Sequence, residues 1–397
     1  MKARAAIILQ RINELGAISE EPGCLTRTFG GPACEAASRL VMQWMQEAGL
    51  QVRIDAIGNV RGRRSSNNPD AKTLVIGSHI DTVCNAGKFD GPLGVIMGID
   101  LVAHLTNCPF NIELIAFCDE EGVRFQTTYL GSRVVAGTFD SALLSKTDAH
   151  GISLKQAIGS NAEVLSREAI PATEWLGYFE IHIEQGPVLF EKNIPVALVT
   201  AIAGQQRIAI TFKGEAGHAG TVPMPMRHDA LCAAAEFILA VEDYAKTHNI
   251  TATVGELHIH HAASNVIPGT VHCTLDVRNT SEHHFGQLAK DICHRRQVEL
   301  DWQLVQHTVP VQCDAAMSNM LAKAITASGH PLVKLVSGAG HDAVAISAVA
   351  PVSMLFVRCY KGISHQPQEN VEEKDIAATV EVCTNFITHL IHSYNPE

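Results

Sequence analysis

Short apolar runs recur along the first 200 residues, and each gives way to a polar, glycine-containing loop. Residues 74–76, Asn111–Phe117 (NIELIAF), 178–182 (YFEIH), 194–202 and, late in the chain, Val352–Val357 read as buried strands. The stretches between them carry helical spacing. Pro32–Glu47 repeats Ala37, Leu40, Val41, Trp44 and Met45, with Gly49 as a helix stop. The N-terminal sixteen residues, 94–105, Ala315–Ala327 and 373–391 are also predicted helices. Residues 51–64 alternate around Gly58-Asn59, a strand pair with a turn, and 65–70 is a polar loop. Near Gly204 the period changes. Residues 207–212, 254–260, 271–277 and 298–306 read as strands, and 229–246 and 282–295 as helices. The first of these helices has apolar positions at Leu231, Ala234, Ala235, Ile238 and Leu239. This β-α-β-β-α-β order predicts a ferredoxin-like layer inserted into the first domain. The first domain resumes at the helix Ala315–Ala327.

The 397 residues are 46% hydrophobic and 18% charged, enough for two folded domains with a large core. The net charge is -11, and the 30 Lys and Arg form no basic run, which argues against nucleic acid and anionic membranes as partners. No apolar stretch approaches the roughly 20 residues of a membrane span. The N-terminus has only five apolar residues before Gln10-Arg11, too few for a signal peptide. Eleven scattered Cys without a C-x-x-C pair point to reduced thiols and a cytoplasmic protein.

Chemistry gathers at the strand exits. In an extended chain, His79 and Asp81 of GSHIDT face one way, and Asp90 follows between Phe89 and Gly91-Pro92. The second strand ends in Asp119-Glu120-Glu121, and adjacent carboxylates repel unless a cation shares the site. His182 precedes a Gly-Pro loop, and His365 lies in GISHQP. Taken singly, these could be a capping Asp, a surface His and a solvated Glu-Glu pair. Taken together, His79, Asp90, Glu121, His182 and His365 suit two close divalent ions bridged by one carboxylate. Glu120 is then left over as a base. His341, in the Gly-rich loop SGAGHD, is expected to cap the helix that follows.

The segments GSHIDTV, FDG, DEEGVRF, HIEQGP, GHAGTVPM, SNVIPG, DVRN, SGAGHDA and GISH together resemble the amidase branch of the metal-dependent aminoacylase and carboxypeptidase clan. That branch contains allantoate amidohydrolases, N-carbamoyl-L-amino acid hydrolases and β-ureidopropionases. The resemblance runs from about Arg27 to the C-terminus, and FVRCYKGISH and GHAGTVPMPMRHD are most similar to the allantoate enzymes. It implies an α/β catalytic domain with a mixed central sheet flanked by helices, formed by 1–204 and 311–397. It also implies an inserted α+β ferredoxin-like lid and dimerisation domain, 205–310. His79 and His182 would hold one metal, Glu121 and His365 the other, and Asp90 both, across a cis Asp90–Gly91 peptide. The ions would be Zn or Mn, with Co or Ni also suited. Asp81 would orient His79, Glu120 would move the proton, and His218 would stabilise an oxyanion in the neighbouring subunit of a homodimer. Gln185, Asn265, Arg278 and the Gly340 backbone would bind a ureido carboxylate, with allantoate the leading substrate and N-carbamoyl-L-amino acids or β-ureidopropionate the alternatives. A metallo-aminoacylase or peptidase would more usually carry a carboxylate at position 182.

Overall fold

In the computed structural model, residues 1–281 and 283–394 are described. The chain divides into two compact units, Met1–Thr200 with Gln312–Glu397, and Ala201–Val311. Its strands are β1 (Gln51–Ile54), β2 (Val60–Arg64), β3 (Thr73–His79), β4 (Asn111–Phe117), β5 (Trp175–Ile183), β6 (Val196–Ile202), β7 (Gly204–Lys213), β8 (Gly217–His218), β9 (Thr251–Ile259), β10 (Val266–Ile267), β11 (Thr270–Asn279), β12 (Glu299–Thr308), β13 (Val311–Gln312), β14 (Lys334–Ser337) and β15 (Val352–Val357).

The first unit is mixed α/β. Its sheet runs β1-β2-β4-β3-β5-β15-β6-β13, with β14 added to β6. The centre, β4-β3-β5-β15, is parallel, and β2 and β6 flank it antiparallel. Every residue of β3, β4 and β15 is buried, as parallel strands covered on both faces require. Parallel direction brings the carboxyl ends of these strands to one edge, where α/β sheets place ligand sites. The helices Lys2–Gly16, Pro32–Glu47, Pro92–His104, Ala315–Ala327 and Glu373–Tyr394 send Ile8, Val41, Ile96, Leu321 and Phe386 into one core. The Phe386 ring lies 4.6 Å from Phe179 of β5, and truncating either to Ala would cost about 3–5 kcal/mol. Two short helices that lack a long apolar period, Leu130–Ala136 and Leu154–Ile158, join Phe125 and Leu165 in a smaller cluster.

The second unit has four antiparallel strands in the order β12-β7-β11-β9. Helices Ala230–His248 and Phe285–Arg296 pack Phe237 and Ile292 with Phe212 and Leu275 of the sheet. Asp229 caps the first by accepting from the Leu231 and Cys232 N–H groups. The helix expected from Glu282 begins at Phe285, and Glu282 lies outside the described residues. One expectation is corrected: the first helix buries Ala230, Ala233, Ala234, Phe237, Val241 and Ala245, whereas Ala235 and Leu239 face out, Leu239 at 62% exposure. Apolar residues ring this helix, and the bulky Phe237 decides which side meets the sheet. β8 and β10 form a separate two-stranded ribbon, His218 opposite Val266. All eleven cysteines are free, and no described helix is long and apolar enough to cross a membrane.

Candidate metal centre

Each exit of the parallel strands delivers a ligand-type side chain. β3 ends in His79, β5 reaches His182 one residue before its end, Glu121 follows β4, and His365 follows β15. The His79 Nδ1–H donates to the Asp81 carbonyl and the His182 Nδ1–H to the Ile183 carbonyl, both at 3.0 Å. With Nδ1 so fixed, both Nε2 atoms turn to Asp90 Oδ1, at 3.6 and 3.2 Å. The other carboxylate oxygen faces a different pair: Asp90 Oδ2 lies 3.1 Å from His365 Nε2, which is 3.4 Å from Glu121 Oε1. The donor atoms form overlapping groups, His79-Asp90-His182, Asp90-Glu121-His365 and His79-Glu120-Glu121, each within 4.8 Å.

The loops are held in costly conformations. Asp119, Gln185 and His365 all adopt positive φ, at 53°, 56° and 56°, one at each of three strand exits. Such backbone persists where the surroundings fix it, and it concentrates at functional sites. Gly91 takes φ 81°, and a Cβ there would sit 2.5 Å from His79 Cε1, so only glycine lets the Asp90 turn approach the imidazole. The expected cis peptide is corrected: the Asp90–Gly91 bond is trans, and Gly91 makes the turn through its positive φ.

Burial and charge shape the titration. Burial would raise Asp90, but contacts from His182, His365 and His79 hold it well below the usual carboxylate range. Burial drives Glu120 well above that range, and the charges of Glu121 and Asp342 add to it. Burial and the Asp90 charge push Glu121 up to about 7, while the Asp90 contact lifts His365 to about 9. A set of imidazoles and carboxylates with no thiol among them, buried at His79, Asp90, His182 and Glu120 and open to solvent at His365, fits a pair of divalent cations around one two-faced carboxylate. The buried Gln185 Oε1, which has no hydrogen-bond partner while its Nε2 touches Asp90, fits a site that takes further ligands.

The remaining expected residues fall as follows. Asp81 does not point its carboxylate squarely at His79 (3.7 Å); Oδ1 and Oδ2 instead accept from the Glu120 and Glu121 N–H groups, both at 3.1 Å. Gln185 Nε2 donates to Asp90 Oδ2 at 2.9 Å. Gly340 packs so close to the Tyr129 hydroxyl that a Cβ there would lie 1.8 Å from it and displace the ring. His341 sits at the N-cap position but makes no cap with its side chain; its ring meets His182 edge-on at 4.4 Å. His218, Asn265 and Arg278 belong to the second unit. The His218 Nδ1 accepts from Gly220 N–H at 3.0 Å, and the Asn265 carbonyl accepts from Ala219 N–H at 2.9 Å. Arg278 Nε donates to Asp276 at 2.9 Å.

Glu369 was not anticipated. Its Oε1 accepts from the Phe89 and Asp90 N–H groups (2.7 and 3.0 Å), and its Oε2 accepts from Ser364, whose hydroxyl also reaches Asp90 at 3.0 Å. It ties the Asp90 turn to the His365 loop. Nothing local marks it beyond an acid four residues after His365 in a proline-containing loop.

A parallel-centred α/β sheet whose strand exits converge on paired imidazoles and carboxylates is the architecture of a metallohydrolase. The chain belongs to the peptidase family M20/M25/M40, whose description it matches over residues 75–389. It is similar to allantoate deiminase 1 of Glycine max, 38% identical over 427 residues, covering 96% of this chain and 88% of that protein. It is equally similar to an N-carbamoyl-L-amino acid amidohydrolase of Geobacillus stearothermophilus, 39% identical over 399 residues, covering 96% and 97%. Among solved structures it resembles an amidase of the hydantoinase/carbamoylase family from Burkholderia multivorans, with TM-score 0.89, 32% identity and coverage of 96% and 97%.

Proposed function

We propose that this chain hydrolyses the ureido C–N bond of allantoate at the cluster around Asp90. It is a hydrolase acting on carbon–nitrogen bonds other than peptide bonds. The observation that carries the reading is the two-sidedness of Asp90: Oδ1 toward His79 and His182, Oδ2 toward His365 beside Glu121. In this reading His79 and His182 would hold one divalent ion, Glu121 and His365 the other, and Asp90 would serve both. Zn, Mn, Co or Ni would suit these donors, and such ions supply Lewis acidity and a water that ionises near neutral pH. Glu120, whose backbone Asp81 fixes, takes a proton from the attacking water and delivers it to the leaving nitrogen. His218 stabilises the oxyanion. Gln185, Asn265 and the Gly340 backbone orient the substrate, and Arg278 shares its guanidinium between Asp276 and the substrate carboxylate.

The Geobacillus relative supports a second reading, hydrolysis of N-carbamoyl-L-amino acids, which uses the same residues. Ammonia release from allantoate, N-carbamoyl-L-amino acids and β-ureidopropionate, with Mn or Zn added, separates the readings. Turnover of N-acyl amino acids or dipeptides alone would overturn both. We also read the protein as a cytoplasmic homodimer joined through the second unit. The exposed Leu239 and the sheet edges at β9 and β12 support the dimer, and the eleven free thiols support a reducing compartment. A monomer mass in sedimentation equilibrium would sink the dimer.

A further inference from the structure

Imidazoles gather a second time, on the sheet of the second unit. His258 lies on β9, and His260 follows two residues later, so both project from the same face. β11 runs antiparallel beside β9 and sets His272 directly opposite His258. The flanking residues Val271 and Cys273 point into the core, so His272 stands on the outer face, where all three histidines are exposed. His260 keeps this register beyond the strand end, its N–H donating to the Thr270 carbonyl at 3.0 Å. The His260 and His272 rings meet edge-on with centroids 6.2 Å apart. On the other side of β11, Thr211 of β7 stands opposite His272 and its hydroxyl lies 2.6 Å from His272 Nδ1. With Nδ1–H donating to that hydroxyl, Nε2 carries the lone pair and the ring is held in place. Glu256, two residues before His258, is also exposed.

We propose that His258, His260 and His272 form a binding site for a zinc-like divalent ion, with Glu256 or water as the fourth donor. Three neutral imidazoles around one position are a recurrent zinc set. A Zn–N bond of about 2.0–2.1 Å in a tetrahedral site puts two imidazole centroids about 5 Å apart. Closing from 6.2 Å takes rotation of exposed side chains over a backbone already in register. A nitrogen set of this kind prefers Zn2+, Ni2+ or Cu2+ and holds Mg2+ and Mn2+ poorly, unlike the oxygen-richer cluster around Asp90. The bound ion would pin β9 to β11 at the base of the hairpin 260–269, which presents Asn265.

Equilibrium dialysis of the full chain against buffered micromolar zinc tests this. Wild type is expected to bind one more ion per chain than His272→Ala or His258→Ala, both of which should keep their hydrolytic activity with Mn2+. Asp90→Asn should lose ions from the other cluster and keep this one, so the outcome does not depend on the assigned reaction. Zinc addition to Asp90→Asn should also slow hydrogen exchange across 260–269, and this slowing should vanish when His272→Ala is added. An equal zinc count in wild type and His272→Ala overturns the site, and unchanged exchange overturns the pinning.

Discussion

Two ionic clusters in the first unit have buried centres, Arg61 with Glu113 in one and Asp90 with His79 and His182 in the other, and they are built on opposite plans. Around Arg61 the chain supplies both signs. Arg61 Nε meets Glu113 at 2.6 Å, Arg63 meets the other oxygen of Glu113 at 3.3 Å, Arg53 meets Glu168 at 2.7 Å, and Asp55 lies 3.9 Å from Arg61. Three guanidiniums face three carboxylates, and the Arg61 fork also donates to the Glu168 carbonyl at 2.6 Å. Around Asp90 no such closure exists. Among the described residues, every ion-pair partner of Asp90 and Glu121 is an imidazole, and Glu120 has none. Removing charge from water costs several kcal/mol per ion unless opposite charge and hydrogen bonds offset it. The first cluster is complete as a structural joint. The second sets its carboxylates against imidazoles alone, and the divalent cations of the proposed function would complete it.

The sharpest way to break the contrast is Asp90→Asn. It should abolish hydrolysis and cut metal content, read by elemental analysis, because it weakens both halves of the cluster at once. In a His272→Ala background, two ions retained per chain would show that Asp90 is no bridge. Glu120→Gln separates the proton from the metal: kcat should fall about a thousandfold, within the usual range for acid–base groups, while metal content stays at wild-type level. Arg61→Met tests the other plan. It leaves the buried Glu113 with only the part-exposed Arg63 and removes the guanidinium beside Asp55, so urea unfolding of the metal-loaded protein should show a loss of up to about 3–5 kcal/mol. Metal content and KM should not move; a drop in either would mean the two clusters are coupled.

The smallest effect belongs at the surface of the second unit, where Glu236 meets Arg295 and Arg296 at 2.7 and 2.6 Å. These side chains are largely solvated, so Glu236→Gln should cost at most about 1 kcal/mol. The guanidiniums hold the Glu236 carboxyl below its ordinary value. Its contribution is therefore full above the unfolded glutamate pKa, about 4.3, and is lost as pH falls through the lower folded value. A difference between wild type and Glu236→Gln that grows on acidification would contradict this sign.

What could be read from the sequence was what repeats locally. Pro32–Glu47, Asn111–Phe117, Ala315–Ala327 and Val352–Val357 occupy the residues that periodicity marks. The five residues that gather around Asp90, namely His79, Glu120, Glu121, His182 and His365, were legible because strand exits are visible as apolar runs breaking into His, Asp or Glu. Partners could not be read. Asp81 clamps backbone N–H groups 39 and 40 residues away, and backbone donors carry no residue-type signal. The outward turn of Leu239 depends on Phe237 winning a packing contest with the sheet. The trans Asp90–Gly91 bond reflects a glycine conformation that no letter code distinguishes.

Glu369 reaches back 280 residues to the Phe89 amide. That single span sets a schedule for biosynthesis. While the ribosome is still making the second unit, the nascent chain already holds His79, Asp90, Glu121 and His182 but neither His365 nor the clamp that fixes the Asp90 turn. Closing so long a loop is slow and comes late, after most of the sheet has formed. If the cluster holds two ions as proposed, metal capture at the Glu121–His365 position is among the last events of maturation, and a chain stalled before β15 should acquire at most one ion in this cluster. Mass spectrometry of such stalled chains can count it.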